Sequence, residues 1–384
     1  MANFALKEKK FDFLIWGGVL SLILDLFSKG MNMKKKFALL LSILIAIVFV
    51  SCDNNVYVLE PTKVSDAKGL ASALTSSSND TVQLVSDIDY TDSDNIVITD
   101  NNKSLDLNGH SLKLSNERDK GRIVVSSDGV FTLLDSTKDK GKIFTETKWK
   151  DNDTGFHILE VVSNGKFIME SGNIYTVLED TKNSGQFAIG ISANADVTIN
   201  GGTITAGWYA ISGNGSNKSD NTKVTINGGE LISKADYAIY MPAPGLVTVN
   251  GGTVDGSAGA FCLRSGKLVI NDGFIQSAGT GDTGDWADGT GNTPNSVIIV
   301  DRETIDGYVG NVDVTINGGN FSGSDKVSDK EFVVKEYPGD SSKITIKGGN
   351  FNFEPDKKFI SGGYKAEKNS DGKTWSVKKI IASK

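Results

Sequence analysis

A six-residue unit recurs along the chain and constrains its fold more than any other feature. It reads Val-Thr-Ile-Asn-Gly-Gly or a variant of it, and successive Asn-equivalent positions from residue 108 lie 27, 35, 30, 27, 23, 21, 46 and 30 residues apart. The second of these positions is Asp135, which is the fifth rather than the fourth residue of its unit. Helical repeats need a nearly constant length, whereas a coil of strands accepts insertions in its turns. The nine occurrences begin at Leu105, Phe131, Phe167, Val197, Val224, Val247, Leu268, Val314 and Ile344.

Each unit predicts a strand followed by a sharp turn. Val and Ile lie two residues apart and point to one side of a strand, while Thr points to the other. Asn-Gly-Gly supplies residues that accept positive φ. A second strand follows the unit, as in Thr203-Ile204, and a third precedes it, as in Tyr237-Ala-Ile. We therefore predict an all-β fold, a parallel β-helix with three strands per coil and about nine coils.

The asparagines of the repeat form a set of their own. In stacked coils they would lie above one another, and their amides would form a hydrogen-bonded ladder at one turn. The alternative interpretation is a row that binds sugar. We favour the structural interpretation, because Asn before Gly-Gly already serves the turn. The residues concerned are Asn200, Asn227, Asn250, Asn271 and Asn317.

Residues 1–51 have the pattern of an export signal. Three lysines at 34–36 precede the apolar stretch 37–50, which is too short to span a bilayer comfortably. The following Phe49-Val50-Ser51-Cys52 resembles the lipobox of bacterial lipoproteins, although Leu is usual where Phe49 stands. That resemblance implies cleavage before Cys52 and its lipidation, with residues 52–64 as a tether. We interpret residues 1–30 as a mis-assigned start; the alternative is an additional membrane segment.

The net charge limits the classes of partner that the protein can bind, and the cysteine content limits its disulfides. The formal charge is −7, and residues 1–51 hold seven Lys and three acidic residues, so the remainder carries 33 basic and 44 acidic side chains and a charge of −11. Phosphate backbones and anionic lipid surfaces bind clustered Lys and Arg, so we expect neither a nucleic-acid partner nor a surface for anionic lipid. Cys262 lies in the apolar run Ala-Phe-Cys-Leu and predicts a small buried side chain, without a disulfide. We expect a monomer.

Both ends of the repeat region predict caps. Residues 65–77 read as a helix with Ser65 as its N-cap, and a hairpin turns at 370–372. The helix, then Thr81-Val-Gln-Leu-Val-Ser-Asp-Ile and Ser104-Leu-Asp-Leu-Asn-Gly-His-Ser-Leu, resemble the opening of pectate-lyase-like β-helix proteins of bacterial surfaces. The segment 359–377 is similar to the C-terminal element of that group. The resemblance implies one right-handed parallel β-helix over residues 65–380, but this fold carries lyases, hydrolases, adhesins and stalks.

No catalytic residue is assigned. Hydrolases of this group carry Gly-His-Gly and Arg-Ile-Lys segments, and neither occurs here. His110 and His157 each read as a partly buried structural histidine rather than a base.

Two candidate sites follow from composition. Asp282, Asp285 and Asp288 lie in a Gly-rich loop within the longest repeat, and we interpret them as a solvated acidic loop or as a Ca²⁺ site. Aromatic residues near neighbouring turns would stack on sugar rings if they face outward. If they face inward, Tyr209 and Tyr237 join a core stack. The ligand-binding candidates are Trp208, Tyr240 and Trp286.

These features together predict a lipid-anchored protein of the bacterial cell envelope, at the outer membrane or cell surface. The preferred function is a non-catalytic, adhesin-like scaffold for a glycan or protein partner. The alternatives are a polysaccharide lyase or hydrolase with an active site unlike that of the group, and an inert surface coat antigen.

Overall fold

A computed structural model describes the chain from residue 60 onward. The chain divides between Leu59 and Glu60, and the second unit is the one described. The described residues are 60–78, 81–115, 117, 119–138, 140–146, 157–176, 187–213, 221–280, 295–301, 311–324, 334–337 and 343–381. Cys52, Asp282, Asp285, Asp288 and Trp286 lie outside them.

Within these described residues, thirty-two strands form three sheets, and sheet 1 contains the repeated unit. Its eleven strands are all parallel. In spatial order they are β1 (Thr62–Val64), β2 (Thr81–Leu84), β5 (Asn102–Asp106), β8 (Val130–Leu134), β11 (Lys166–Met169), β14 (Asp196–Ile199), β17 (Thr222–Ile226), β20 (Gly245–Val249), β23 (Gly266–Ile270), β26 (Val312–Ile316) and β29 (Lys343–Ile346).

Sheets 2 and 3 contain the remaining strands. Sheet 2 has twelve: β3 (Ile88–Asp89), β6 (Ser111–Lys113), β9 (Lys142–Phe144), β12 (Asn173–Thr176), β15 (Thr203–Ala206), β18 (Glu230–Ser233), β21 (Thr253–Gly256), β24 (Phe274–Ser277), β27 (Asn320–Gly323), β30 (Asn350–Phe351), β32 (Trp375–Lys379) and β31 (Tyr364–Lys368). Sheet 3 has nine: β4 (Ile96–Thr99), β7 (Ile123–Ser126), β10 (Leu159–Val161), β13 (Ile189–Ile191), β16 (Ile211–Gly213), β19 (Tyr237–Met241), β22 (Gly259–Leu263), β25 (Ile298–Asp301) and β28 (Val334–Tyr337).

The chain visits sheets 1, 2 and 3 in strict rotation from β2 to β28, which makes nine complete coils. Strands β29 and β30 begin a tenth. At about 4.8 Å per rung, the nine coils form a shaft roughly 40 Å long. The predicted parallel β-helix, with three strands per coil, is confirmed.

The interior is one continuous apolar core. Val and Ile of the repeat point inward and are almost fully buried, while Thr between them points outward, as strand parity predicts. Strict superposition produces this stack: Val197 pairs with Val224, and Val224 with Val247. Cys262 is also fully buried, on sheet 3.

The Asn-Gly-Gly turn needs both of its glycines. At the first, Gly228, a Cβ would lie 2.6 Å from the carbonyl oxygen of Asn200 in the preceding coil. The second, Gly229, has φ +76°, in the left-handed region that favours glycine. One glycine therefore permits close approach between coils and the other permits the bend.

Helix α1 (Ala67–Thr75) covers the first coil and buries Leu70 and Leu74. Its N-cap is Asp66, whose Oδ1 accepts a hydrogen bond from the Gly69 amide at 2.8 Å, so the assignment of Ser65 as N-cap is wrong by one residue. A carboxylate caps the first turn better than a hydroxyl that lies one position outside it.

The alignment of the first repeat also needs correction. Leu105 pairs with Leu133 rather than Phe131, a shift of two residues, and Phe131 instead pairs with Lys103. Lys103 is 1% exposed, and its Nζ donates to Ser76 Oγ at 2.7 Å and to the Ser78 carbonyl oxygen beyond the end of α1. A buried lysine thus occupies a core position because the helix end supplies its acceptors.

A hairpin closes the other end of the shaft. Strands β31 and β32 are antiparallel to each other, and β32 is antiparallel to β30. Asp371 accepts hydrogen bonds from the Lys373 and Thr374 amides at 2.8 and 2.9 Å and holds the predicted turn at 370–372. A short 3₁₀ helix, Lys357–Phe359, precedes the hairpin.

Candidate functional site

The predicted aromatic site is buried. Trp208 and Tyr240 are 6% and 3% exposed and lie in a cluster with Phe187, Tyr209 and Tyr237. The Tyr209 ring stacks on Phe187 at 5.4 Å and on Tyr240 at 5.2 Å between centroids. This cluster is separate from the core. In β19, Ile239 and Met241 belong to the core, whereas Tyr240 between them belongs to the aromatic cluster and therefore points away from the core.

The other predicted site residues lie elsewhere or outside the described part of the chain. The described residues contain no group of three His, Cys, Asp or Glu side chains that could hold a metal ion. His110 Nδ1 lies 3.5 Å from Asp87 Oδ1 at the surface of the first coils. His157 is 8% exposed and contacts Phe187, with ring centroids 5.0 Å apart. Burial, and then the nearby charge of Arg122, lowers the pKa of His157 to about 3, so its ring is neutral at physiological pH.

The repeat asparagines form the predicted ladder. In each rung the side-chain Nδ2 donates to Oδ1 of the asparagine below, over distances of 2.8 to 2.9 Å. Asn200 ends the series by donating to Glu170 Oε1 at 2.9 Å. The ladder bonds hold neighbouring coils together, which supports the structural interpretation of these residues. We call Asn200, Asn227, Asn250, Asn271 and Asn317 the Asn ladder.

A groove on the outer face of sheet 2 combines exposed aromatic and polar groups. It encloses about 220 Å³ and crosses three neighbouring strands, β9, β12 and β15. Strand pairing places its side chains in two columns. Lys142, Asn173 and Thr203 form the first column. Tyr175 and Thr205 form the second, which continues on β9 to Phe144, outside the groove lining.

Tyr175 gives the groove its aromatic surface. Strand parity in β12 buries Ile174 at 1% exposure and turns Tyr175 outward, where 42% of it is exposed. Phe144 is its partner on β9, and Lys142 Nζ lies 4.5 Å from the centroid of the Phe144 ring. The same alternation in Asn-Ile-Tyr-Thr could have identified Tyr175 from the sequence.

Polar groups surround this aromatic surface. Asn173 Nδ2 donates to the Gly141 carbonyl oxygen at 3.0 Å, which orients the amide beside the tyrosine. The groove is also lined by Lys140, Lys142 and the hydroxyl groups of Thr203 and Thr205. Among the described residues that line it, none is Asp, Glu or His. The groups present suit hydrogen bonding and ring stacking rather than proton transfer.

Comparison with known proteins does not identify a function, so we infer one from the groove. No family model, no curated protein and no solved structure matches the chain. In the described residues, no helix has the length and apolar character needed to cross a bilayer.

Proposed function

We propose that this protein is a lipid-anchored, non-catalytic scaffold of the bacterial cell envelope that binds a glycan on sheet 2. The observation that carries the proposal is Tyr175, an exposed aromatic ring within a groove of amide, hydroxyl and ammonium groups. Export and anchoring are supported by the signal-like residues 1–51 and by Cys52 in its lipobox-like context. The cap helix and the segments 81–88, 104–112 and 359–377 support kinship with pectate-lyase-like surface proteins.

Binding follows from the two columns of the groove. The apolar C–H face of a sugar ring stacks on Tyr175, and its hydroxyl groups exchange hydrogen bonds with Thr203, Thr205 and Asn173. Ligand pockets for drug-sized molecules enclose about 300–1,000 Å³, so a groove of about 220 Å³ suits one ring of a longer chain. Three hydrogen-bonded strands hold the groove, so little conformational entropy is lost on binding.

Affinity at one groove would be weak, because a single ring makes few contacts. Many anchored copies on one surface would bind a polymer through several grooves at once, and avidity would then exceed the affinity of any single groove. The proposed anchor and the proposed weak site therefore work together.

The glycan proposal is tested by comparing Tyr175→Ala with the native chain on an array of bacterial, plant and host glycans. We expect about fivefold weaker binding, since an aromatic stacking contact contributes about 1 kcal/mol. Phe274→Ala is the matched control, because Phe274 is 59% exposed on the same sheet but lies outside the groove. Equal loss in both variants, or no glycan bound by the native chain, would refute the proposal. Release of unsaturated or reducing sugar ends from a bound polysaccharide would show that the protein is a polysaccharide-degrading enzyme instead of a non-catalytic scaffold.

The anchor is tested separately by metabolic labelling with a fatty-acid analogue. Cys52→Ala should abolish the label, because the lipid is attached through that thiol. Labelling of the variant at the native level would remove the anchor from the proposal and leave the groove unaffected.

A further inference from the structure

A second cleft lies at the end of sheet 1, in the last rung of the shaft. It encloses about 480 Å³ between β29 and residues 358–361. Three lysines and three hydroxyl groups surround it, and Ile344, Phe359 and Ile360 supply an apolar side. The polar lining residues are Lys343, Lys347, Lys358, Thr315, Thr345 and Ser361.

The backbone holds the far wall of this cleft in place. Ile360 forms a parallel bridge with Ile346, and the Ser361 amide donates to the Ile346 carbonyl oxygen at 2.9 Å. Asp356 Oδ1 accepts from the Lys358 amide at 3.0 Å, and Phe359 is buried at 7% exposure. The main chain at Lys358 is thereby held opposite β29.

The charge of the cleft is opposite to that of the protein. No described carboxylate lines it, although the segment from Cys52 onward carries −11. Asp356 Oδ2 lies 3.7 Å from Lys358 Nζ, and Asp313 is the cross-strand neighbour of Lys343. Two flanking carboxylates against three lysines leave the cleft positive, in a protein whose average composition would make it negative.

We propose that this cleft binds a phosphate ester. Lysine binds phosphate as a point charge, and the neighbouring hydroxyl groups can donate to the remaining oxygens. The apolar side of the cleft, of which Ile360 is the partly exposed member, would contact the organic group to which the phosphate is attached. The ester could belong to a lipid headgroup or to a soluble phosphorylated compound, which share this chemistry. The site is independent of the sheet 2 groove and does not rest on glycan binding.

Isothermal titration calorimetry on the full chain in a non-ionic detergent tests the site. One arm uses glycerol 3-phosphate, and the other uses dihexanoyl phosphatidylglycerol below its micelle concentration. We expect the native chain to bind at least one probe, and the combined variant Lys343→Gln, Lys347→Gln and Lys358→Gln to bind it about tenfold more weakly. Tighter binding of the lipid would identify a headgroup, and comparable or tighter binding of glycerol 3-phosphate a soluble ester.

The matched control removes three lysines from earlier rungs of the same face. Lys166, Lys223 and Lys267 lie in the column that ends at Lys343. Replacing these three with Gln should change binding by less than about twofold, since only long-range charge is lost. Equal weakening in the two triple variants, or no heat with either probe, would overturn the proposal. If the cleft variant does not fold, Lys347→Gln alone should weaken binding about twofold, and an unchanged affinity would count against the site.

Discussion

Replacing Asn250 with alanine removes two hydrogen bonds from the middle of the Asn ladder. Asn250 Nδ2 donates to Asn227 Oδ1, and Asn271 Nδ2 donates to Asn250 Oδ1, both at 2.8 Å. A solvent-exposed hydrogen bond of this kind contributes about 0.5 kcal/mol, so the Asn250→Ala variant should lose about 1 kcal/mol of unfolding free energy. Asn317 makes one ladder bond, of 2.9 Å, and Asn317→Ala should lose about half as much.

A carboxylate at the same position should cost more than alanine. In Asn250→Asp, one carboxylate oxygen would face Asn227 Oδ1 without a proton between them, and we expect a loss of about 2 kcal/mol at neutral pH. Protonation of the new side chain restores a donor. The difference between Asn250→Asp and Asn250→Ala should therefore shrink below about pH 4.

Urea unfolding followed by circular dichroism measures these differences. The three variants are compared with the native chain at neutral pH and at acidic pH, using midpoints at a common slope, because a change of slope would indicate an altered unfolded state. The ladder interpretation is refuted if Asn250→Ala is no more destabilising than Asn317→Ala. It is equally refuted if Asn250→Asp is as stable as Asn250→Ala at neutral pH.

Two buried polar residues give further predictions. Asp135 accepts from the Gly109 and Gly141 amides and from Thr137; desolvation raises its pKa, but these hydrogen bonds outweigh it and hold the pKa below the usual value. The contribution of Asp135 to the free energy of unfolding should be lost as the pH falls below about 4. Asp135→Asn should lower the free energy of unfolding by about 2 kcal/mol at neutral pH and flatten this acid dependence. Urea midpoints measured from neutral to acidic pH test both effects. His157 has its pKa lowered, so the folded state disfavours its protonated form and stability should fall as the pH drops from about 6.5 towards 3. Its NMR ring signals should not shift between about pH 5 and 8, and His157→Phe should remove its share of the acid sensitivity; a midpoint near 6.5 would contradict the burial.

Much of the architecture could be predicted because the sequence of each repeat specifies how its strand aligns with the strand of the next coil. Val-Thr-Ile assigns the inner and outer faces, and Asn-Gly-Gly marks the corner, so superposition of the units predicted both the shaft and the Asn ladder. The sequence pattern does not align the first repeat correctly, because Lys103 occupies a core position. Its acceptors, Ser76 and Ser78, lie just beyond the end of a helix, more than twenty residues earlier in the sequence. A local pattern contains no information about such a partner.

The candidate site was harder to predict for a related reason. In strands β13, β16, β19 and β22 of sheet 3 both faces are buried, so the run Tyr237–Met241 shows no alternation between buried and exposed positions. Strand parity therefore gave no signal that separates burial from exposure for Tyr240, and none for Trp208, which lies between β15 and β16. Tyr175 lies in a strand with clear alternation, so its outward orientation can be predicted. A single exposed tyrosine does not by itself indicate a binding site, however, and strand pairing is needed to place Lys142 and Thr203 near it.

The repeated Asn-Gly-Gly turns also have a consequence for the gene. A deletion that runs from one ladder asparagine to the next, such as residues 228–250, would join Asn227 to Gly251 and leave the Asn-Gly-Gly sequence intact. Recombination between such similar stretches of DNA would therefore add or remove whole rungs without shifting any remaining strand. We expect natural variants of this protein to differ in length by single coils, with their two caps unchanged.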